Sequence, residues 1–273
     1  MKSMLQKVIF TDIDGTLTDI FSGKYEETDK MVSILKSNNI PVILCSAKTR
    51  SEQNKIRNEL GLIDPFIVEN GGAIIVPKNY FDLNYFDRTK QEEEYIILEL
   101  GKSAKEVRTK LAEIKNKFKI DFKGVADVSM EELSNLAMMP IDYAKRMAQR
   151  EYGETILQIK KDDISLFTKI AENTGLKVIH GGRFLDITIG NDKGNAVNLL
   201  VDLFRKKYHD QVEFFGIGDS ANDAPMLKLM DVPMLVQRSD GSWQDLEIKN
   251  TLRLKGIGPK GWKSAFNKIM ELN

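Results

Sequence analysis

Cysteine is almost absent from this sequence. Cys45 is the only one in 273 residues, so there is no internal disulfide framework and the chain suits a reducing, cytoplasmic setting. Its place on an apolar strand reads as a small buried hydrophobe rather than a nucleophile. Net charge is absent too. Forty basic side chains balance forty acidic ones, which argues against a nucleic-acid footprint. No apolar run approaches the ~20 residues that a membrane helix needs. The opening stretch, Met1 to Lys7, has no signal-peptide core. Nucleic-acid and membrane partners are therefore not expected, and no oligomeric state follows. Internal repeats, low-complexity tracts and long linkers are missing as well. The histidines, His180 beside a turn and His209 late in a helix, read as a solvated residue and a helix-end residue.

What is present is concentrated in one segment, Val8-Ile9-Phe10-Thr11-Asp12-Ile13-Asp14-Gly15-Thr16-Leu17. The apolar run predicts a buried strand, and it ends in two aspartates that flank one residue. Gly15 permits a sharp turn away from the sheet. Paired carboxylates at a strand's C-terminal edge suit a hard divalent cation, usually Mg²⁺. They also place a nucleophile and a proton donor two residues apart. Partners follow downstream. A second strand, 41–45, ends at Ser46. Lys193-Gly194 opens a helix expected over 195–208, and a strand over 212–217 runs into Gly218-Asp219-Ser220-Ala221-Asn222-Asp223.

Between these motifs the pattern changes. The first part alternates strand and helix: a helix over 28–38 with Met31, Ile34 and Leu35 on one face, then strand 41–45. A helix over 49–60 closes at Gly61, and strand 66–68 turns through Glu69-Asn70-Gly71-Gly72 into a hairpin with 73–76. Such repetition implies parallel strands. From about Tyr80 the chain reads differently. A strand over 94–100 is followed by a helix that a Ser103–Glu106 capping box starts, with Val107, Leu111, Ile114 and Phe118 on one face. Ser129–Glu132 marks a second helix and Pro140 a third. Strand 155–159, helix 163–173, and strands 176–180 and 183–189 around Gly181-Gly182 complete an α+β block. The expected fold is α/β: a Rossmann-like parallel-sheet core of residues 1–82 and 189–273, interrupted by an α+β insertion of residues 83–188, with the site in the crevice at the core strand ends.

Asp12, Ser46, Lys193 and Asp219, in that order, resemble the four motifs of the haloacid dehalogenase superfamily. That resemblance implies a phosphatase with an inserted cap. It implies Asp12 as nucleophile, Asp14 as general acid and base, Ser46 as a phosphoryl ligand and Lys193 as the neutralising cation. It also implies Mg²⁺ held by Asp12, the Asp14 carbonyl, Asp219 and Asp223. The cap's position resembles the Cof-like group. Ser46 to Gln53, Glu69 to Ile74, Arg150-Glu151-Tyr152, Gly181-Gly182-Arg183-Phe184, Asp192-Lys193-Gly194 and Gly258-Pro259-Lys260-Gly261-Trp262 together resemble the mannosyl-3-phosphoglycerate phosphatases. The implied substrate is a small phosphorylated sugar-glycerate, converted to mannosylglycerate, a compatible solute. Lys48, Thr49 and Arg50 at a helix start, with Arg150 and Arg183 in the cap, suit its anionic groups. Glu69 and Asn70 suit sugar hydroxyls. The sequence departs from the family at Glu154-Thr155-Ile156 and Leu185-Asp186, which leaves the glucosyl substrate open beside the mannosyl one. Another Cof-like sugar-phosphate phosphatase and a phosphomutase are the alternatives.

Overall fold

The computed structural model describes residues 5–20, 22–25, 28–82, 89–180 and 183–272. Strand β1 (Gln6–Thr11) lies at the centre, between β2 (Val42–Leu44) and β11 (Val212–Gly218), in a five-stranded parallel sheet. Beyond β11 come β12 (Val232–Gln237) and β13 (Leu252–Ile257). The apolar run in β1 is unbroken because both sheet faces are covered. Val8 and Phe10 pack with Ala196, Leu200 and Phe204 of α7 (Lys193–Lys207). Ile9 packs on the other face with Leu35 of α1 (Thr28–Ser37) and with Trp262 and Ile269 of α9 (Pro259–Glu271).

Helix α2 (Arg50–Leu60) starts and stops where local chemistry requires. Thr49 and Glu52 form a full capping box, and Gly61 ends the helix in the left-handed conformation. Ile34, expected on the buried face of α1, is instead 43% exposed. Phe118, in the last turn of α3 (Ala104–Phe118), is also exposed, because Lys119 turns the chain away there.

A second sheet runs β3 (Phe66–Val68), β4 (Ala73–Pro77), β6 (Tyr95–Glu99) and β5 (Lys90–Gln91), all antiparallel. A parallel bridge between Cys45 and Ile67 joins it to the end of β2. The sequence places strand 94–100 in the inserted block, yet this sheet crosses the 82/83 division. Ile96 and Ile97 belong to the two core clusters on either side, so burial draws the strand into the core.

The insertion carries a third, antiparallel sheet of β7 (Phe122–Gly124), β8 (Gly153–Ile159), β10 (Leu185–Thr188) and β9 (Lys177–His180). Helices α3 and α6 (Ile164–Asn173) cover one face through Val107, Leu111 and Phe167. Helices α4 (Met130–Ala137) and α5 (Ile141–Met147) pack on the other with Leu157 and Phe184. The Gly181-Gly182 turn lies outside the described residues, but the strands beside it pair as the hairpin reading requires. Two chain crossings tie the insertion to the core, and Lys102 N–H donates to the Ile189 carbonyl at 2.9 Å between them. The insertion is docked on α2: Thr49 Oγ1 donates to the Arg146 carbonyl at 2.9 Å, and Lys55 sits over the Tyr143 ring. Among the described residues no helix is long and apolar enough to cross a membrane.

Candidate active site

The β1 strand ends by placing Asp12, whose N–H donates to the Ile217 carbonyl of β11 at 3.0 Å. Gly15 then turns at φ +79°, and a Cβ there would come within 3.0 Å of Asp219 Oδ2. Glycine is thus required both for the left-handed turn and for the carboxylate's approach. Thr16 Oγ1 donates to Asp219 Oδ1 at 3.0 Å, so the two strand-end loops hold each other. Behind the site, Trp262 Nε1 donates to Thr11 Oγ1 at 3.1 Å.

Lys193 is the first residue of α7, which Asp192 caps by accepting from Asn195 N–H. Its Nζ reaches Asp223 Oδ1 at 2.7 Å and Asp12 Oδ1 at 3.2 Å. Burial disfavours charge on this lysine, but Asp223 and Asp12 outweigh it and hold its pKa above the ordinary value. Asp223, just before the short helix α8 (Ala224–Leu227), is fully buried. Its other oxygen accepts from the N–H groups of Asp219 and Ser220 and from Ser220 Oγ, which fastens the loop that bears Asp219. Burial first, and then the Asp223 charge, raises Asp12 well above the usual carboxylate range. The same causes push Asp219 up to about 7, against the Thr16 hydrogen bond.

Asp12, Asp219 and Asp223 offer oxygen atoms that all lie within 4.8 Å of one another. A crowded, buried, all-oxygen set of this kind fits a hard divalent cation, which would offset the mutual repulsion. The carboxylate of Asp14 stands apart from that cluster. It is 45% exposed and pairs with Lys48 Nζ at 3.0 Å; Lys48 also lies 3.6 Å from Glu52. Ser46 is buried at the end of β2, and its Oγ accepts from Lys48 N–H at 3.3 Å. Asp12, Lys193, Asp219 and Asp223 thus form one cluster, and Asp14, Lys48 and Ser46 a second linked group.

The residues expected on the substrate are placed differently. Thr49 is spent on the α2 cap and on the Arg146 carbonyl. Arg50 is clamped between Glu92 and Glu151, at 2.8 Å to each. Glu69 is buried and accepts from the N–H groups of Glu151 and Tyr152 at 2.7 and 3.1 Å, which clasps the insertion to the core. Burial pushes its pKa up to about 7 despite Arg150 and those two donors. Asn70 bonds Asp186 and Asn222 rather than facing open space. Arg150 grips internal groups: Asp186 at 2.8 Å, Thr155 Oγ1 at 2.8 Å and the Ala47 carbonyl at 3.3 Å. Arg183 donates to the Ala137 and Leu136 carbonyls at the end of α4 and lines a cavity of about 650 Å³ beside His180 and Phe184, with none of the clustered aspartates. Sequence reasoning missed Asp186, Thr155 and Asn222 as parts of this network. Alternation in β10 was the available signal, since Asp186 points opposite to the buried pair Leu185 and Ile187.

A family model described as haloacid dehalogenase-like hydrolase matches residues 9–242. A protein of Persephonella marina is 36% identical over 264 residues, covering 96% of this chain and 97% of its own length. One of Methanococcoides burtonii is 35% identical over 271 residues, covering 98% and 99%. Both are named glucosyl-3-phosphoglycerate/mannosyl-3-phosphoglycerate phosphatase. The crystal structure of a Thermoplasma acidophilum protein shares the fold with a TM-score of 0.69 at 20% identity, covering 98% of this chain and 100% of that one. The motif order, the clustered strand-end aspartates and these likenesses agree, and the chain belongs to the haloacid dehalogenase-like hydrolases, within the mannosyl-3-phosphoglycerate phosphatase family.

Proposed function

We propose that this phosphatase is Mg²⁺-dependent and removes phosphate from mannosyl-3-phosphoglycerate and glucosyl-3-phosphoglycerate, giving the glycosylglycerate. The observation that carries the reading is the pairing of two aspartates with different surroundings. Asp12 is buried against Lys193, while Asp14, two residues on, is open to the cleft beside Lys48. Different settings for two carboxylates suit different tasks.

The Asp12 carboxylate attacks phosphorus in line, and the bond to the ester oxygen breaks as Asp14 delivers a proton to it. Lys193 sets the Asp12 oxygen in place and lowers the repulsion between two anions. Water then attacks the aspartyl-phosphate, Asp14 takes its proton, and free phosphate and the Asp12 carboxylate are restored. Ser46 donates to a phosphoryl oxygen. Mg²⁺, held by Asp12, Asp219, Asp223 and the Asp14 carbonyl, would neutralise phosphoryl charge. Lys48 is placed to meet the anionic groups of the substrate next to Asp14. The insertion serves as a cap that excludes water. Pairing of β5 and β6 with β4 favours a cap that begins after Gly101 and returns near Ile189. The names of the relatives support both sugars.

A phosphate-release screen with Mg²⁺ tests this. Mannosyl- and glucosyl-3-phosphoglycerate are expected to turn over with kcat/KM at least tenfold above simple hexose phosphates. Hexose phosphates as the better substrates would overturn the substrate assignment. Isomeric sugar phosphate without free phosphate would overturn hydrolysis.

A further inference from the structure

Asn70 stands where three functional parts of the molecule meet. It follows Glu69 and precedes Gly71, and all three residues have positive φ, at +47°, +58° and +90°. Consecutive left-handed residues are costly for side chains other than glycine, and asparagine is among the few that tolerate the region. The turn is held in place by what surrounds it. Glu69 N–H donates to the Lys48 carbonyl at 3.1 Å and Asn70 N–H to the Ser46 carbonyl at 3.0 Å, which pins it to the loop after β2. A Cβ on Gly71 would lie 2.3 Å from the Asp192 carbonyl oxygen, so the turn also abuts the start of α7.

The side chain makes the other two connections. Its Nδ2 donates to Asp186 Oδ2 of the cap strand β10 at 3.3 Å. Its Oδ1 accepts from Asn222 Nδ2 at 3.1 Å, in the loop that carries Asp219 and Asp223. Asp186 is in turn fixed by Arg150 at 2.8 Å and Thr155 Oγ1 at 2.6 Å. With the donor end committed to the cap and the acceptor end to the carboxylate loop, the amide has one orientation. Losing the Asp186 acceptor removes the reason for that orientation, and a flipped amide would present N–H groups to Asn222.

We propose that Asn70 is a positioning residue that couples seating of the cap to the geometry of the metal-binding loop. The proposal rests on the reading that Asp12, Asp219 and Asp223 hold Mg²⁺. Cap docking then strengthens cation binding, and cation binding strengthens docking by the same factor. A cap closed over its substrate in this way completes the loop opposite the nucleophile.

The test is a double-mutant cycle with Mg²⁺ binding followed by calorimetry in the absence of substrate. Asp186→Asn sets two amides against each other and is expected to weaken Mg²⁺ binding about tenfold, within the usual range of coupling between sites. Asn70→Asp sets two carboxylates against each other. The double variant N70D/D186N restores a donor–acceptor pair of opposite direction, while the carboxylate introduced by Asn70→Asp still accepts from Asn222. It should bind Mg²⁺ about tenfold more tightly than the two single effects multiplied together. Multiplicative effects would overturn the proposal. Asn222→Ala removes only the link to Asn70 that the side chain makes, and it decides the question should a cycle member fail to fold. It is expected to weaken Mg²⁺ binding to a similar degree, and unchanged binding would overturn the coupling. Because no sugar substrate enters, a failed substrate assignment leaves these outcomes standing.

Discussion

At the scale of single residues, Asp12 and Asp14 differ in surroundings more than in chemistry. Asp12→Asn keeps shape and hydrogen bonding but loses the carboxylate that we propose as nucleophile. Turnover of either glycosyl-3-phosphoglycerate should fall by at least about 10³-fold while the melting temperature stays close to that of the parent; steady-state phosphate release and calorimetry check both. Glu69 makes a prediction of another kind. Its folded pKa, about 7, stands above the ordinary carboxylate value near 4.5. The folded state therefore binds the extra proton, and stability falls as pH rises from about 4.5 to about 7. Asp12 and Asp219 act in the same direction in metal-free protein. Glu69→Gln should flatten this slope in part, which metal-free calorimetry across that window would show. An unchanged slope would remove Glu69 from the account.

These residues also show what was legible in the sequence. The four motifs were legible because phosphoryl chemistry calls for particular residue types in a set order, three after strands and Lys193 at a helix start. Glu69, Asn70, Arg50 and Arg150 could not be placed the same way. A charged or amide side chain near a site is equally suited to a ligand and to another side chain, and only the three-dimensional partners decide. Here Arg150 meets Glu69 and Asp186 before it can meet a substrate.

At the scale of elements, helix starts were the easiest to read. Ser103 and Ser129 cap as their spacing requires, because capping is local. The elements after Asp223 were harder. Strand β13 has alternating partial burial at an edge, and β6 joined the core because its apolar faces found neighbours far away in sequence. Helix α9 holds Trp262, which is fully buried beneath β1 and donates to Thr11. Lys7 adds a second fastening by donating to the Ile269 and Leu272 carbonyls at the other end of that helix. Trp262→Ala should cost about 3–5 kcal/mol, measured by denaturant unfolding, through the cavity and the lost hydrogen bond. Loss of less than about 1 kcal/mol would show that α9 is a peripheral element.

At the scale of the whole molecule, the core and the cap are joined by charge as well as by packing. Arg150 is nearly buried, and Asp186 and Glu69 hold its pKa above the ordinary value against the effect of burial. Removing one partner from such a group strands the others. Arg150→Met should destabilise the protein by about 3–5 kcal/mol and raise KM for the glycosyl substrate, since the seat of the cap is disturbed. Equilibrium unfolding and steady-state kinetics check the two parts. A variant with wild-type stability would show that the network is incidental to docking.

The parallel pairing of β1 with β11 carries one further consequence. The strand that leads into Asp12 ends at Thr11, yet its hydrogen-bonding neighbour begins only at Val212. Neither the Asp12 cluster nor the full parallel sheet can form on a nascent chain before β11 has been made. The apolar segment from Val8 to Phe10 must wait unpaired on that side until then, a circumstance in which folding helpers have most to offer.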